Sequence, residues 1–322
     1  MIRLSIIIPF FNVEKYIAEC LESVFNQDFP EEEYEVICIN DASPDKSRDI
    51  VLAYQKKHSN LILVEHEVNK KLGAARNSGR RIARGIYIWN VDSDDLIAPN
   101  CIGKLLKQCE DDSLDVLCFN YGTLLEDGSI KMGANHQKVS MTNGVNFIHQ
   151  YGSDRLGYLC PVWRHVFRKG FLDENDVYSP EINMGEDVPY TFKALFLAKR
   201  MAFVNERWYF CRKNKSSLTA AKKPLAPVVL YEKCFKNSYL ILDVLQYLPN
   251  DDDELINMCT NVAKYTFNLW RGFYEMMDDN DKEAFRLICR ERYKSDTIML
   301  KRVLSCYKYC KYILWMLGIS KA

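Results

Sequence analysis

The sequence predicts an α/β protein: a mostly parallel, doubly wound sheet flanked by helices, followed by a helical C-terminal region. Two patterns carry that prediction. Up to Tyr121, short runs rich in β-branched and aromatic residues alternate with stretches whose apolar residues recur at helical spacing. Such alternation builds a parallel sheet with helices on both faces. Beyond Pro227 the strand-like runs stop and the pattern turns helical, with an acidic break at Asp251 to Glu254. The expected division is one domain over residues 1–220 and a helical region over 221–322.

The first strand is Leu4 to Pro9, L-S-I-I-I-P, closed by proline. Asn12 is the expected N-cap of the next helix, where Ile17, Leu21, Val24 and Phe25 form one apolar face. A polar loop from Gln27 to Glu33 leads to the second strand, Tyr34 to Asn40, and Asp41-Ala42-Ser43-Pro44-Asp45 turns into a helix ending near Lys57. Leu61 to Glu65 is the third strand. A small-residue-rich helix from Gly73 to Arg84 then feeds the strand Tyr87 to Val91. Pro99 opens a helix, and Asp115 to Tyr121 is a further strand. After it, Asp127-Gly128 reads as a turn between short strands and Thr142 to Tyr151 as a helix. Leu159 to Leu172 mixes aromatics with cations. Met184-Gly185-Glu186-Asp187 opens a helix running to about Lys199, and Phe203 to Arg212 is the last strand. A final helix from about Ile298 to Leu317 puts Lys301, Lys308 and Lys311 on one face, bordered by Leu304 and Trp315. That face suits either an anionic membrane surface or packing against the rest of the protein.

Charge is balanced at 43 basic against 43 acidic side chains, which argues against a general nucleic-acid binder. The twelve cysteines are scattered, with no C-x-x-C pair, and several lie inside apolar runs where Cys behaves as a small hydrophobe. A reducing, cytoplasmic location is the simpler expectation. There is no signal-peptide pattern, and no apolar stretch approaches a membrane span.

The candidate chemistry sits where strands end. Y-I-W-N-V-D-S-D-D puts Asp92, Asp94 and Asp95 within four residues, with no adjacent Lys or Arg. Their repulsion suits a hard divalent cation that keeps positions open for substrate phosphates, and equally a solvated acidic turn. Asp41 closes the second strand, placed to accept from a base N–H or a ribose hydroxyl, or to cap the helix beginning near Asp45. Lys70, Lys71 and Arg76 cluster near a glycine-opened helix, suiting a diphosphate or, more simply, a solvated basic helix. Glu186 and Asp187 lie at a helix start, where the dipole keeps carboxylates ionised. His165, beside Arg164, reads as structural or exposed rather than as a ligand, and Trp163 and Tyr158 read as core packing before acceptor stacking.

Taken together, S-I-I-I-P-F-F-N, I-N-D-A-S-P-D, G-A-A-R-N-S-G, V-D-S-D-D and G-E-D follow one another over residues 1 to 220. In that order they resemble glycosyltransferase family 2, inverting enzymes of GT-A (Rossmann-like) fold, of the bacterial surface-polysaccharide type. The resemblance implies a UDP-sugar donor, Mn²⁺ or Mg²⁺, and a glycan or lipid-linked saccharide acceptor. It implies that Pro9, Phe11, Asn12 and Ser43 line the nucleotide, that Asp41 reads uracil, and that Arg76 lies near the base or phosphates. Asp92 would bind the ribose or the metal, and Asp94 and Asp95 the metal. Asp187, with Glu186 beside it, would be the catalytic base, and Arg212 would begin a basic loop over the diphosphate. Ala42 and Pro44 stand where the family often has Gly and Thr. Three rivals are weaker. A nucleotidyltransferase needs a Gly- and Arg-rich loop after the first strand, which P-F-F-N-V-E-K is not. A non-catalytic relative predicts loss of the acidic residues, and a dehydrogenase predicts G-x-G-x-x-G.

Overall fold

The computed structural model describes residues 1–136, 138–151, 159–213, 225–248, 252–304, 308, 312 and 314–316. By its internal contacts the chain forms two units. The first comprises Met1–Glu181 and Lys193–Asn214, the second Ile182–Phe192 and Lys215–Ala322. The segment carrying Glu186 and Asp187 belongs with the C-terminal helices.

The first unit is built on β1 (Leu4–Phe10), buried along its whole length. It pairs in parallel with β2 (Tyr34–Asn40) on one side and with β4 (Tyr87–Asn90) on the other, and β3 (Leu61–Glu65) extends the sheet beyond β2. Continuous apolar runs are what a strand covered on both faces requires. Helix α1 (Ile17–Phe25) buries Ile17, Cys20, Leu21 and Val24, the i, i+3, i+4, i+7 stripe. Helices α2 (Ser47–Gln55), α3 (Lys71–Ile82) and α4 (Ile102–Asp111) complete the alternation.

The far half of the sheet departs from the expected pattern. With β5 at Leu96–Ile97, β6 at Val116–Leu124, β9 at His165–Arg168 and β10 at Met201–Arg212, the strand order is β3-β2-β1-β4-β9-β6-β10-β5, and β9 is antiparallel to both β4 and β6. Four residues are too few to show a period, so H-V-F-R was invisible as a strand. Strand β10 runs parallel to β6 and antiparallel to β5. Short strands β7 (Ile130–Met132) and β8 (Val139–Thr142) pair antiparallel with β6 and β10. Gly128, at φ +81°, makes the β6–β7 turn. The rest of the unit carries α5 (Gly144–Tyr151) and α6 (Lys169–Glu174), while α7 (Asp187–Leu197) starts in the second unit and ends in the first.

The described part of the second unit is otherwise helical. An aromatic core joins Phe235, Phe267, Trp270, Phe285, Tyr312 and Trp315, with the rings of Trp270 and Trp315 4.5 Å apart. The final helix is not one rod from Ile298 to Leu317. A helix over Asp279–Val303 ends where Leu304 becomes extended (φ −110°, ψ 138°). Leu304 and Trp315 are buried, while Lys301 and Lys308 are exposed. Lys311 lies outside the described residues, as do Tyr158 and the basic loop after Lys213. Among the described residues no helix is long and apolar enough to cross a membrane, and the ten described cysteines are free.

Candidate active site

Because β1, β2 and β4 are adjacent and parallel, the segments that follow them emerge at one edge of the sheet, where α/β folds bind ligands. The first two loops are stitched together. The amide of Asn12 donates to Ser43 Oγ at 3.1 Å, that of Val13 to Ser47 Oγ at 3.1 Å, and that of Glu14 to Asp45 Oδ2 at 2.8 Å. In return the Lys46 amide donates to Glu14 Oε2 at 3.0 Å. Burial opposes the ionised Asp45, but hydrogen bonds from Ser47 and the Glu14 amide together hold its carboxyl below the usual value. Asn12 is therefore not a helix cap. It sits at φ +56°, a left-handed conformation that Asn tolerates, and α1 begins only at Ile17. Pro9 is buried in β1, whereas Phe11 is 45% exposed at the loop.

Asp41 is 4% exposed and heavily engaged. Its Oδ1 accepts from the Lys70 amide at 2.8 Å and its Oδ2 from the Lys71 amide at 2.9 Å, which ties β2 to the start of α3. His66 Nδ1 lies 2.7 Å from Oδ1, and its Nε2 lies 2.9 Å from Ser78 Oγ. A carboxylate oxygen accepts, so Nδ1–H donates to Asp41, and Nε2 pairs with the Ser78 hydroxyl. By count, one of about four acceptor positions on the carboxylate remains for a ligand.

Helix α3 also reaches the acidic loop, since Arg76 Nη2 donates to Asp92 Oδ1 at 2.9 Å. The start of the helix thus holds Asp41 and its second turn holds Asp92. The Asp92 amide donates to the Tyr209 hydroxyl at 3.1 Å, and that hydroxyl donates to Asp95 Oδ2 at 2.7 Å. The Arg212 amide donates to Asp95 Oδ1 at 2.6 Å, and Arg212 Nε to the Asp94 carbonyl at 2.8 Å. Arg212 then spans to α1, pairing with Glu19 Oε2 at 2.7 Å. Both Asp95 oxygens are taken by the scaffold, so Asp95 holds the loop to β10. Burial, then the charges of Asp94 and Asp92, push the Asp95 carboxyl well above its usual value. Burial likewise raises Asp94, whose carboxylate takes no side-chain hydrogen bond among the described residues. Among those residues no three His, Cys, Asp or Glu side chains converge as a metal cage.

In the second unit, Gly185 (φ +88°) leads into α7, which opens at Asp187. Glu186 is 6% exposed and Asp187 half-buried.

A profile described as Glycosyl transferase family 2 matches residues 5–171, more than half of the chain. The chain belongs to glycosyl transferase family 2. It is similar to an uncharacterized glycosyltransferase, EpsJ, of Bacillus subtilis, with 31% identity over 67% of this chain and 62% of that one. It is 33% identical to a poly(ribitol-phosphate) beta-glucosyltransferase of Bacillus spizizenii, over 69% of this chain and 34% of that protein. The match therefore spans less than two thirds of both relatives. The structure of Staphylococcus aureus TarS 1–349 in complex with UDP-GlcNAc superposes with TM-score 0.69 at 22% identity, over 94% of this chain and 82% of that one. The fold is the GT-A fold of that protein.

For a family 2 member, several contacts at this edge carried no sequence signal. Tyr209 sits in an ordinary aromatic strand, and nothing in its spacing marks it as the donor to Asp95. His66 belongs to no motif, although its position one residue beyond β3, at the ligand edge, is a usable hint. His165 and Trp163 are structural. The imidazole is fully buried and pulled down to about 3 by burial and the neighbouring Arg164, and Trp163 stacks on Tyr209 at 4.4 Å.

Proposed function

We propose that this family 2 protein is an inverting glycosyltransferase that moves a sugar from a UDP-sugar to a hydroxyl of a glycan or lipid-linked saccharide. The observation that carries this reading is α3, which ties Asp41 by its first amides and Asp92 by Arg76 at one sheet edge. That arrangement suits a nucleoside at Asp41 and its ribose and diphosphate along the helix toward Asp92. Pro9, Phe11, Asn12 and Ser43 would line the nucleotide. The names of relatives that glycosylate poly(ribitol phosphate), including TarS, support a polyol-phosphate or glycan acceptor.

The donor set fits Mn²⁺ or Mg²⁺. Asp94, with Asp92 beside it, would hold the ion, because one or two carboxylates with substrate phosphates and water complete such a shell. Asp95 is left out, since its oxygens are already bonded. When bound, the ion would supply a Lewis acid for the departing diphosphate. Asp187 takes the proton of the acceptor hydroxyl as that oxygen bonds to the anomeric carbon. The bond from that carbon to the diphosphate breaks in the same displacement, which inverts the centre, and UDP leaves. Glu186 stands beside the base.

The test is UDP release from a panel of nucleotide sugars, with and without poly(ribitol phosphate), in Mn²⁺ and in Mg²⁺. Turnover of a UDP-sugar, lowered about 10²–10⁴-fold in Asp187→Asn while UDP still binds, is the expected result. Binding without turnover of any donor would make the protein a non-catalytic relative.

A further inference from the structure

We propose that Glu232 and Asn237 are positioning residues for the Gly185-Glu186-Asp187 turn, aligned for that task by a π-turn in the helix that carries them. The inference rests on the reading of Asp187 as the general base.

The helix begins at Pro227–Tyr231, passes through a π-turn at Glu232–Lys236 and continues as Asn237–Asp243. On an α-helix two residues five apart diverge by about 140° and cannot grip one object. In a π-turn the hydrogen bond closes from i to i+5, so residues five apart come nearly above one another. That bond here joins the very pair in question, because the Asn237 amide donates to the Glu232 carbonyl. Both side chains then engage the same short segment. Glu232 Oε2 accepts from the backbone amide of Asn183 at 2.9 Å and from its side-chain Nδ2. Asn237 Nδ2 donates to the Met184 carbonyl at 3.1 Å. Lys233, between them, places Nζ 2.9 Å from Met184 Sδ.

The seat for Gly185 is equally tight. Its φ of +88° is one that side chains rarely adopt, and a Cβ added there would lie 2.2 Å from Asn237 Nδ2. Asn237 is 2% exposed, so its amide cannot swing into solvent to make room. The turn therefore lies directly on Asn237, with Asn183 clamped on one flank by Glu232. The two residues after Gly185 are Glu186 and Asp187, so the direction in which Asp187 leaves the turn is set by this seat. Mid-helix π-turns often mark functional positions, and here the local geometry supplies a reason.

The experiment compares Asn237→Ala, Glu232→Gln, Glu232→Ala and Asp187→Asn in the full chain, alone and with Asp187→Asn added to each. The readouts are UDP release from UDP-N-acetylglucosamine and UDP-glucose with water as acceptor, UDP affinity, and melting temperature. Misplacing the base should lower kcat in Asn237→Ala and Glu232→Ala by about 10- to 100-fold, with KM for the donor and UDP affinity unchanged. Glu232→Gln keeps an acceptor oxygen and should restore much of the rate. Each double variant should be no slower than Asp187→Asn alone, since a base that is absent cannot be misplaced. Losses that multiply in the double variants, or full kcat in Asn237→Ala and Glu232→Ala, would overturn the proposal while Asp187 stands. Full activity in Asp187→Asn would overturn the base, whether or not the cradle variants lose rate. A variant that fails to melt cooperatively is replaced by its partner at the other position, and the same comparison decides.

Discussion

At the scale of single residues, Asp94 and Asp41 show how one acid differs from another. Asp94 is held above its usual value chiefly by burial, so between its unfolded and folded values the folded state binds more protons than the unfolded chain. Its contribution is therefore most favourable at low pH and declines as pH rises through the folded value. Asp94→Asn removes that penalty, so the metal-free variant should melt a few degrees above wild type at neutral pH, about 2–4 °C for each kcal/mol recovered. The gap should close at acid pH. The same variant should lose the Mn²⁺-dependent part of its UDP affinity. Calorimetry showing equal UDP affinity with and without metal in wild type would take Asp94 out of metal binding, and an unchanged neutral melting point would refute the burial penalty. Asp41, by contrast, is wrapped in donors. A single remaining acceptor position suits the N3–H of uracil, which cytosine lacks, so wild type should prefer UDP to CDP and Asp41→Asn should bind the two alike. The variant should also lose about 1–3 kcal/mol, because an amide cannot accept from Lys70, Lys71 and His66 together. Equal binding of CDP and UDP by wild type would refute the base-reading role and leave Asp41 as the tie between β2 and α3.

At the scale of elements, a glycine inside the nucleotide motif answers to packing. A Cβ on Gly79 would lie 2.5 Å from Ile7 Cγ2, so α3 lies on β1 with no room for a methyl group. Gly79→Ala should cost about 1–3 kcal/mol by overpacking, read as a lowered urea midpoint. Ile7→Ala should cost less in the Gly79→Ala background than alone, because the added methyl fills part of the cavity. Additive losses would mean that the helix shifts rather than clashes. The elements near this contact were legible for a physical reason: β1, β2 and β3 are apolar runs long enough to show their nature, and they appear where expected. Strand β9 was not legible, because four residues buried between β4 and β6 have no alternation to display. The loops divide in the same way. Asp41, Asp92 and Asp94 could be named from strand ends, but Asn12 was misread as a cap because its Ser43 partner lies 31 residues away.

At the scale of the whole chain, linear order and physical grouping part company at Ile182–Phe192. The motifs run in sequence as though one domain held them all, yet this segment groups with the C-terminal helices. No property of G-E-D announces that, since the clamp depends on Glu232 and Asn237 meeting across a π-turn about fifty residues later. A fragment of residues 1–220 separates the two groupings. It keeps the stitched loops, Asp41, the Arg76–Asp92 pair and the Tyr209–Asp95–Arg212 ties, all of which lie in the first unit. It removes every partner found for Asn183 and Met184 in the helix at 232–237. The fragment should melt cooperatively and bind UDP with the affinity of the full chain. Its UDP-sugar turnover should fall toward that of Asp187→Asn, by up to about 10²–10⁴-fold, because the base remains in the chain but has lost its seat. Isothermal titration and UDP-release assays on one preparation read both properties. Retained turnover would show that Asp187 is placed without the C-terminal helices. Loss of UDP binding in a fragment that still melts cooperatively would show that the nucleotide contacts are not confined to the first unit.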